Sequence, residues 1–139
     1  LVTALCVLDM LDRNPDKTMA DLYRALPVTY GSPTMAPHCP DEIKYDVVDR
    51  IVEKIKTMHA KGEKIAGQSI TNVVTVNGVR VSVKDGTWGL VRASSNKPEL
   101  VVVVESPVSK QRMRMMFDSL DALLRQESSV GAYNQTLPD

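Results

Sequence analysis

With 139 residues, 43% of them hydrophobic and 24% charged, the chain has apolar side chains for one core and the balance of an ordinary globular domain. Seventeen basic and seventeen acidic residues cancel to a net charge of zero, without the basic stripe and aromatic platforms that nucleic-acid binding calls for. No apolar run approaches a membrane span, Leu100 to Val104 being five residues long, so neither nucleic acid nor membrane is expected as a partner.

Cys6 and Cys39 lie far apart and lack metal-ligand spacing. Buried, reduced thiols in a cytoplasmic protein are expected from them, rather than a disulfide framework or a metal site. The N-terminus has no signal-peptide pattern.

Leu1 to Leu11 places Val2, Leu5 and Leu8 at helical spacing until Asn14-Pro15 ends the pattern. The chain starts in mid-helix without an initiator Met, so it is expected to be the tail of a longer protein. Thr18-Met19-Ala20-Asp21 has the form of a capping box, and Met19, Leu22, Tyr23 and Leu26 give a short second helix stopped by Pro27. Pro33, Pro37 and Pro40, with Gly31 and Ser32 before them, break both kinds of periodicity. Residues 1–33 are therefore read as a helical tail, 34–40 as a linker, either hinge or passive connector, and 41–127 as the main domain.

Pro40-Asp41-Glu42 opens the strongest helix, with Ile43, Val47, Val48, Ile51, Val52, Ile55 and Met58 on one face and Gly62 as its stop. Lys54, Lys56, His59 and Lys61 toward its end read as a solvated face that suits the helix dipole. From Ser69 the period changes to two. Val74, Val76, Val79, Val81 and Val83 flank Asn77-Gly78, the pair that a two-residue primed hairpin turn requires. Trp88–Ala93 and Glu99–Glu105 give two more strands, the last apolar on both faces. Ser109 caps a final helix with Met113, Met116, Phe117, Leu120, Leu123 and Leu124 on its stripe, and Met113, Met115 and Met116 read as core filler. Residues 128–139 lose periodicity and read as a flexible tail. The order helix, four strands, helix implies an α+β domain: a four-stranded antiparallel sheet with two long helices on one face, preceded by a short helical segment.

Chemistry concentrates in the loop between the last two strands, Arg92-Ala93-Ser94-Ser95-Asn96-Lys97-Pro98. Arg92 offers a planar fork of donors matched to a phosphate. Ser94, Ser95 and Asn96 add short donors, and backbone N–H groups can join them as an anion-binding nest. From the residues alone the loop is either a phosphate clamp or a solvated turn.

The run Asp85-Gly86-Thr87-Trp88-Gly89-Leu90-Val91-Arg92-Ala93-Ser94 resembles the last-domain signature of the α-D-phosphohexomutases, in particular the bacterial phosphomannomutase/phosphoglucomutase branch. That branch reads Arg-Ala-Ser-Asn-Thr-x-Pro, which Arg92, Ala93, Ser94 and Pro98 match, while Ser95 and Asn96 stand in place of Asn and Thr. The Arg-Pro-Ser-Gly-Thr of phosphoglucosamine mutases fits less well. The resemblance implies a fold like that of the TATA-box binding protein and a C-terminal fragment, the end of the third domain plus the fourth. It implies a parent enzyme that moves a phosphoryl group between the 1- and 6-hydroxyls of glucose or mannose phosphate through a bisphosphate. Arg92, Ser94, Ser95 and Asn96 would hold the phosphate that is not being transferred. The family's serine nucleophile loop, Mg²⁺ loop and Gly-Glu-x-Ser-Gly-His sugar loop do not occur in these residues, so the fragment alone is expected to be inactive, with Mg²⁺ bound elsewhere in the parent. The implied partners are the hexose phosphate and the preceding domains of the same chain. Two other readings remain: a stand-alone module for phosphorylated ligands, and a purely structural α+β domain.

Overall fold

The structure is a computed structural model that describes residues 1–137. Two helices, α1 (Val2–Asp12) and α2 (Met19–Arg24), come first and contain no buried residue. The Thr18 hydroxyl accepts from the Asp21 N–H at 3.2 Å and the Asp21 carboxylate accepts from the Thr18 N–H at 2.9 Å, completing the capping box that the sequence announces.

Six strands follow, with α3 (Lys44–Ala60) after the first and α4 (Lys110–Leu124) after the last: β1 (Tyr30–Gly31), β2 (Lys64–Ile65), β3 (Gln68–Val74), β4 (Val79–Val83), β5 (Trp88–Ala93) and β6 (Leu100–Ser106). They form one antiparallel sheet in the order β1-β6-β5-β4-β3-β2. The expected four-stranded sheet thus gains a two-residue strand at each edge, both too short to show a period.

One face of the sheet is the core. Val79 pairs with Val91, Val91 with Val102, and Val102 bridges to Met35, so a single apolar row crosses four segments. Val81, Gly89 and Val104 form the next row. Val47, Ile51 and Ile55 of α3 and Met116, Leu120 and Leu124 of α4 close over the same rows as one cluster. The other face carries Arg80 beside Leu90, Leu90 beside Val103, and Arg92 beside Val101.

The structure departs from several expectations. The linker 34–40, whose prolines break both kinds of periodicity, nevertheless runs along the edge of β6. Met35 and Val102 exchange backbone hydrogen bonds at 2.9 and 2.8 Å, the Leu100 N–H donates to the Pro37 carbonyl at 2.9 Å, and the Cys39 N–H donates to the Pro98 carbonyl at 2.9 Å. Pro33 and Pro37 are tolerated because an edge segment needs only part of its N–H groups. Tyr30 and Gly31, assigned to the helical tail, pair with Ser106 and Glu105 and belong to this sheet.

The Asn77-Gly78 hairpin is wider than expected. Pairing stops at Val74 opposite Arg80, and Val76 is exposed in the loop rather than in a strand. Gly78 still supplies the left-handed backbone, at φ +74°.

Residues 128–137 of the supposed flexible tail are docked, while 138 and 139 lie outside the described residues. Val130 is buried, Tyr133 packs on Phe117 with ring centroids 5.4 Å apart, and its hydroxyl donates to Asp121 at 2.8 Å. Gly131 donates to the His38 carbonyl at 2.8 Å, and the Asn134 side chain accepts from Ala36 N–H at 2.9 Å. Backbone bonds to the 34–40 edge replace the missing periodicity. Among the methionines, Met113 and Met116 are core residues, whereas Met115 is exposed, one step off the apolar stripe.

Candidate phosphate-binding site

β5 places Arg92 on the face away from the helices, because alternate residues Gly89, Val91 and Ala93 fill the core. Arg92 lines a shallow groove with Val74, Val76, Asn77, Arg80 and Leu90. Its Nη1 donates to the Ala93 carbonyl at 3.0 Å, and no carboxylate engages it among the described residues. The guanidinium is thus laid along its own strand by a neutral contact. Beside it, the Arg80 guanidinium stacks 4.4 Å from the centre of the Trp88 ring.

Beyond Ala93 the chain turns through 94–97 and returns as β6. The turn is closed by Ser94 N–H to the Glu99 carbonyl at 3.0 Å and by Glu99 N–H to the Lys97 carbonyl at 2.8 Å. Ser94 is buried, and its hydroxyl has no protein partner among the described residues. Ser95 and Asn96 are exposed, and the Ser95 hydroxyl donates to the Asn96 side-chain oxygen at 3.1 Å. The N–H groups of Ser95, Asn96 and Lys97 donate to no protein atom among the described residues. Unpaired amides on an exposed turn are donors available to an anion.

The structure therefore joins Ser95 to Asn96 directly, sets Ser94 beneath them, and leaves Arg92 on the adjoining strand face with its remaining donors available.

Sequence reasoning missed two residues that shape this site. A Cβ added to Gly78 would overlap the Val91 carbonyl oxygen and lie 2.7 Å from the Arg92 Cα, so the β3–β4 loop lies hard against β5 at Arg92. Lys44, at the start of α3, is buried, and its Nζ donates to the Lys97 carbonyl at 3.0 Å and to Asp41 Oδ1 at 2.6 Å. Its signal was a lysine in a helix first turn that otherwise favours acids.

The turn that launches β5 is anchored by charge. Asp85 accepts the Thr87 N–H at 3.0 Å and Arg112 Nε at 2.6 Å, and Arg112 Nη1 donates onward to the Ala66 carbonyl at 2.6 Å. Burial pushes the Asp85 carboxyl up, but the Thr87 and Arg112 bonds outweigh it and hold the group below its ordinary value. Burial raises the Cys39 thiol, which disfavours a thiolate nucleophile.

The residues described here do not fit a Mg²⁺ site. No three metal-capable side chains gather among the described residues, and Asp41, Asp85, Asp121 and Glu127 are each taken up by a cationic side chain.

Comparison with known proteins bears on the family and the fold. The family model for the phosphoglucomutase/phosphomannomutase C-terminal domain matches residues 39–123. A phosphopentomutase of Thermococcus kodakarensis is 32% identical over 111 residues, which cover 80% of this chain and 22% of that protein. A phosphomannomutase/phosphoglucomutase of Pseudomonas putida is 30% identical over 132 residues, covering 94% of this chain and 25% of that one. A solved phosphoglucomutase/phosphomannomutase family protein from Burkholderia thailandensis superposes with a TM-score of 0.57 at 20% identity, over 85% of this chain and 21% of the other, and shares its fold. The chain thus spans between a fifth and a quarter of the length of these relatives. It belongs to the phosphoglucomutase/phosphomannomutase family and corresponds to its C-terminal domain.

Proposed function

We propose that this chain is the phosphate-gripping domain of a sugar-phosphate mutase, and that the parent enzyme interconverts hexose 1-phosphate and 6-phosphate, of mannose or glucose, through a bisphosphate. The observation that carries the reading is the pairing of an arginine that no carboxylate engages with a turn whose three consecutive amides have no partner, both among the described residues. Arg92 exchanges its bond to the uncharged Ala93 carbonyl for bonds to anionic phosphate oxygens, which its fork can meet in a bidentate way. The Ser94 hydroxyl, the amides of 95–97 and the side chains of Ser95 and Asn96 complete a cradle for a tetrahedral dianion.

Such a cradle does no covalent chemistry. It fixes the phosphate that stays in place, so that the sugar hydroxyl at the other end meets the transferring group in a set position. The serine donor and the Mg²⁺ belong to preceding domains in this reading, and the chain by itself is inert. A cytoplasmic location is part of the reading; Cys39 is buried as expected, whereas Cys6 is exposed, and both thiols are free.

The test is an amide chemical-shift titration of the chain with inorganic phosphate and then glucose 1-phosphate. Shifts confined to residues 92–97 that vanish in Arg92→Ala are expected. A bond from arginine to phosphate contributes roughly 1.5–3 kcal/mol, so in the parent enzyme the same substitution should weaken substrate affinity about 10- to 150-fold. Unmoved amides in the wild-type chain would remove the clamp assignment, and turnover above background in a coupled mutase assay of the chain would remove its proposed inertness.

A further inference from the structure

We infer that Lys44 is a positioning residue for the phosphate cradle: a buried ammonium that holds the Lys97 carbonyl turned inward and so keeps the amides of 95–97 facing out. The inference rests on the reading of that turn as the phosphate site.

Burial and the helix dipole both count against a charge at Lys44. Its side chain is 5% exposed, and burying an ammonium is costly. It is the first residue of α3, where the helix dipole disfavours positive charge. Its carboxylate partner does not account for the burial, because Asp41 is 59% exposed and an exposed pair at i,i+3 stabilises little. A methionine of similar length would fill the same space against the core without these penalties.

The ammonium does something a methionine does not, and its contacts show what. Nζ lies 3.0 Å from the Lys97 carbonyl oxygen and 2.6 Å from Asp41 Oδ1, and 5.4 Å from the centre of the Tyr45 ring. The Lys97 oxygen already accepts the Glu99 N–H at 2.8 Å, and the next carbonyl, of Pro98, accepts the Cys39 N–H at 2.9 Å. Two successive carbonyls of the returning leg are therefore pulled toward segment 39–44, and Ser94 N–H to Glu99 closes the other leg at 3.0 Å. Both legs of the tip are thereby tied. Were the Lys97 carbonyl released, its partial negative charge could rotate out among the amides and repel a dianion. Lys44 also leaves a positive charge beneath the turn, only partly neutralised by an exposed carboxylate, which raises the local potential for an anion.

The experiment compares wild type, Lys44→Met and Lys44→Arg in the 139-residue chain by backbone ¹⁵N order parameters without ligand, phosphate titration and thermal unfolding. For Lys44→Met the expected outcome is an unchanged or higher Tm, lower order parameters at Ser95–Lys97 only, and phosphate affinity reduced at least about fivefold. Lys44→Arg, which keeps a cationic donor, should restore most of the order and affinity. A residue of merely structural importance would lower Tm and leave the tip as ordered as before. Should the methionine variant not fold, Lys44→Gln, with a neutral donor on a shorter stem, takes its place under the same criteria.

Unchanged order and unchanged affinity in the neutral variant overturn the inference while the clamp stands. If phosphate moves no amide even in wild type, the clamp fails, and the order parameters still decide whether Lys44 sets the turn.

Discussion

Gly78 and Arg92 meet backbone to backbone: a side chain of one carbon on Gly78 would stand 2.7 Å from the Arg92 Cα and 2.8 Å from its Cβ. The contact comes from the wide β3–β4 loop folding back on β5, with Gly78 at φ +74° in the left-handed region that other residues enter at a cost. Gly78→Ala therefore meets two penalties, backbone strain and overlap with a strand that cannot retreat because Val91 is locked in the core. Together these should destabilise the chain by roughly 2–4 kcal/mol, and phosphate affinity should fall because the shift is delivered at Arg92. Gly31 is the control, since a Cβ there has nothing within 4 Å and no positive φ, and Gly31→Ala should be silent in the same urea melt and phosphate titration.

Gly89, within the Asp85–Ser94 run, has a different task. A Cβ on Gly89 would lie 2.5 Å from Leu120 Cδ1 and 3.1 Å from Met116 Cγ, so its missing side chain is the space that α4 fills. Gly89→Ala should cost about 1–3 kcal/mol by overpacking. Shortening the opposing residue should relieve it, so that Gly89→Ala with Leu120→Ala costs less than the sum of the two. A double-mutant cycle by urea denaturation that returned strict additivity would place the strain elsewhere.

What the sequence announced and what it withheld divide along a physical line. Elements with long-range periodicity were readable: α3 through Val47, Val48, Ile51, Val52 and Ile55, β4 through Val79, Val81 and Val83, and α4 behind its Ser109 cap, whose hydroxyl accepts the Arg112 N–H at 3.1 Å. Segments stabilised by partners far along the chain were not. Met35 to Cys39 looks like a proline-broken linker until β6 supplies its hydrogen bonds, and residues 130–135 look like a tail until that same segment supplies theirs. For the candidate site, Arg92 and its polar neighbours stood out because their chemistry is local. Lys44 and Gly78 did not, because each acts on the site across the fold.

The docked tail gives a prediction that the flexible reading would not. Removing residues 128–139 uncovers the face that Val130 and Tyr133 cover, including the ring of Phe117. A loss of roughly 2–4 kcal/mol is expected from one buried valine and one aromatic contact. Tyr133→Phe keeps the ring and removes only the hydroxyl that bonds Asp121 at 2.8 Å, so it should cost about 1 kcal/mol. Burial, reinforced by Asp121, pushes the Tyr133 phenol far above its ordinary value, so no loss of stability from its ionisation is expected up to pH 10. A truncated chain that melts with wild type would show that the tail's contacts carry no stability.

Acid stability should depend on Glu127, which joins the far end of α4 to α3. Its carboxylate accepts from Lys54 Nζ at 2.7 Å and from Arg50 Nε at 2.8 Å, and its side chain is 11% exposed. The Lys54 bond, opposed by burial and aided by Arg50, holds the group below its ordinary value of 4.5. A carboxyl with a lower pKa in the folded chain than in the unfolded one stabilises fully above about 4.5, and that contribution is lost as pH falls through the folded value. Glu127→Gln should therefore be less stable than wild type at pH 7, by about 1 kcal/mol because Arg50 is half exposed and screened by solvent. The two urea-unfolding profiles should converge as the pH falls through the lowered value of the folded carboxyl, below which the wild-type group is itself protonated. The slope left in the variant belongs to Asp85 and Asp21, which are also held below their ordinary values. A gap that did not narrow as acid unfolds the wild type would mean that the substitution acts through packing and not through this charge.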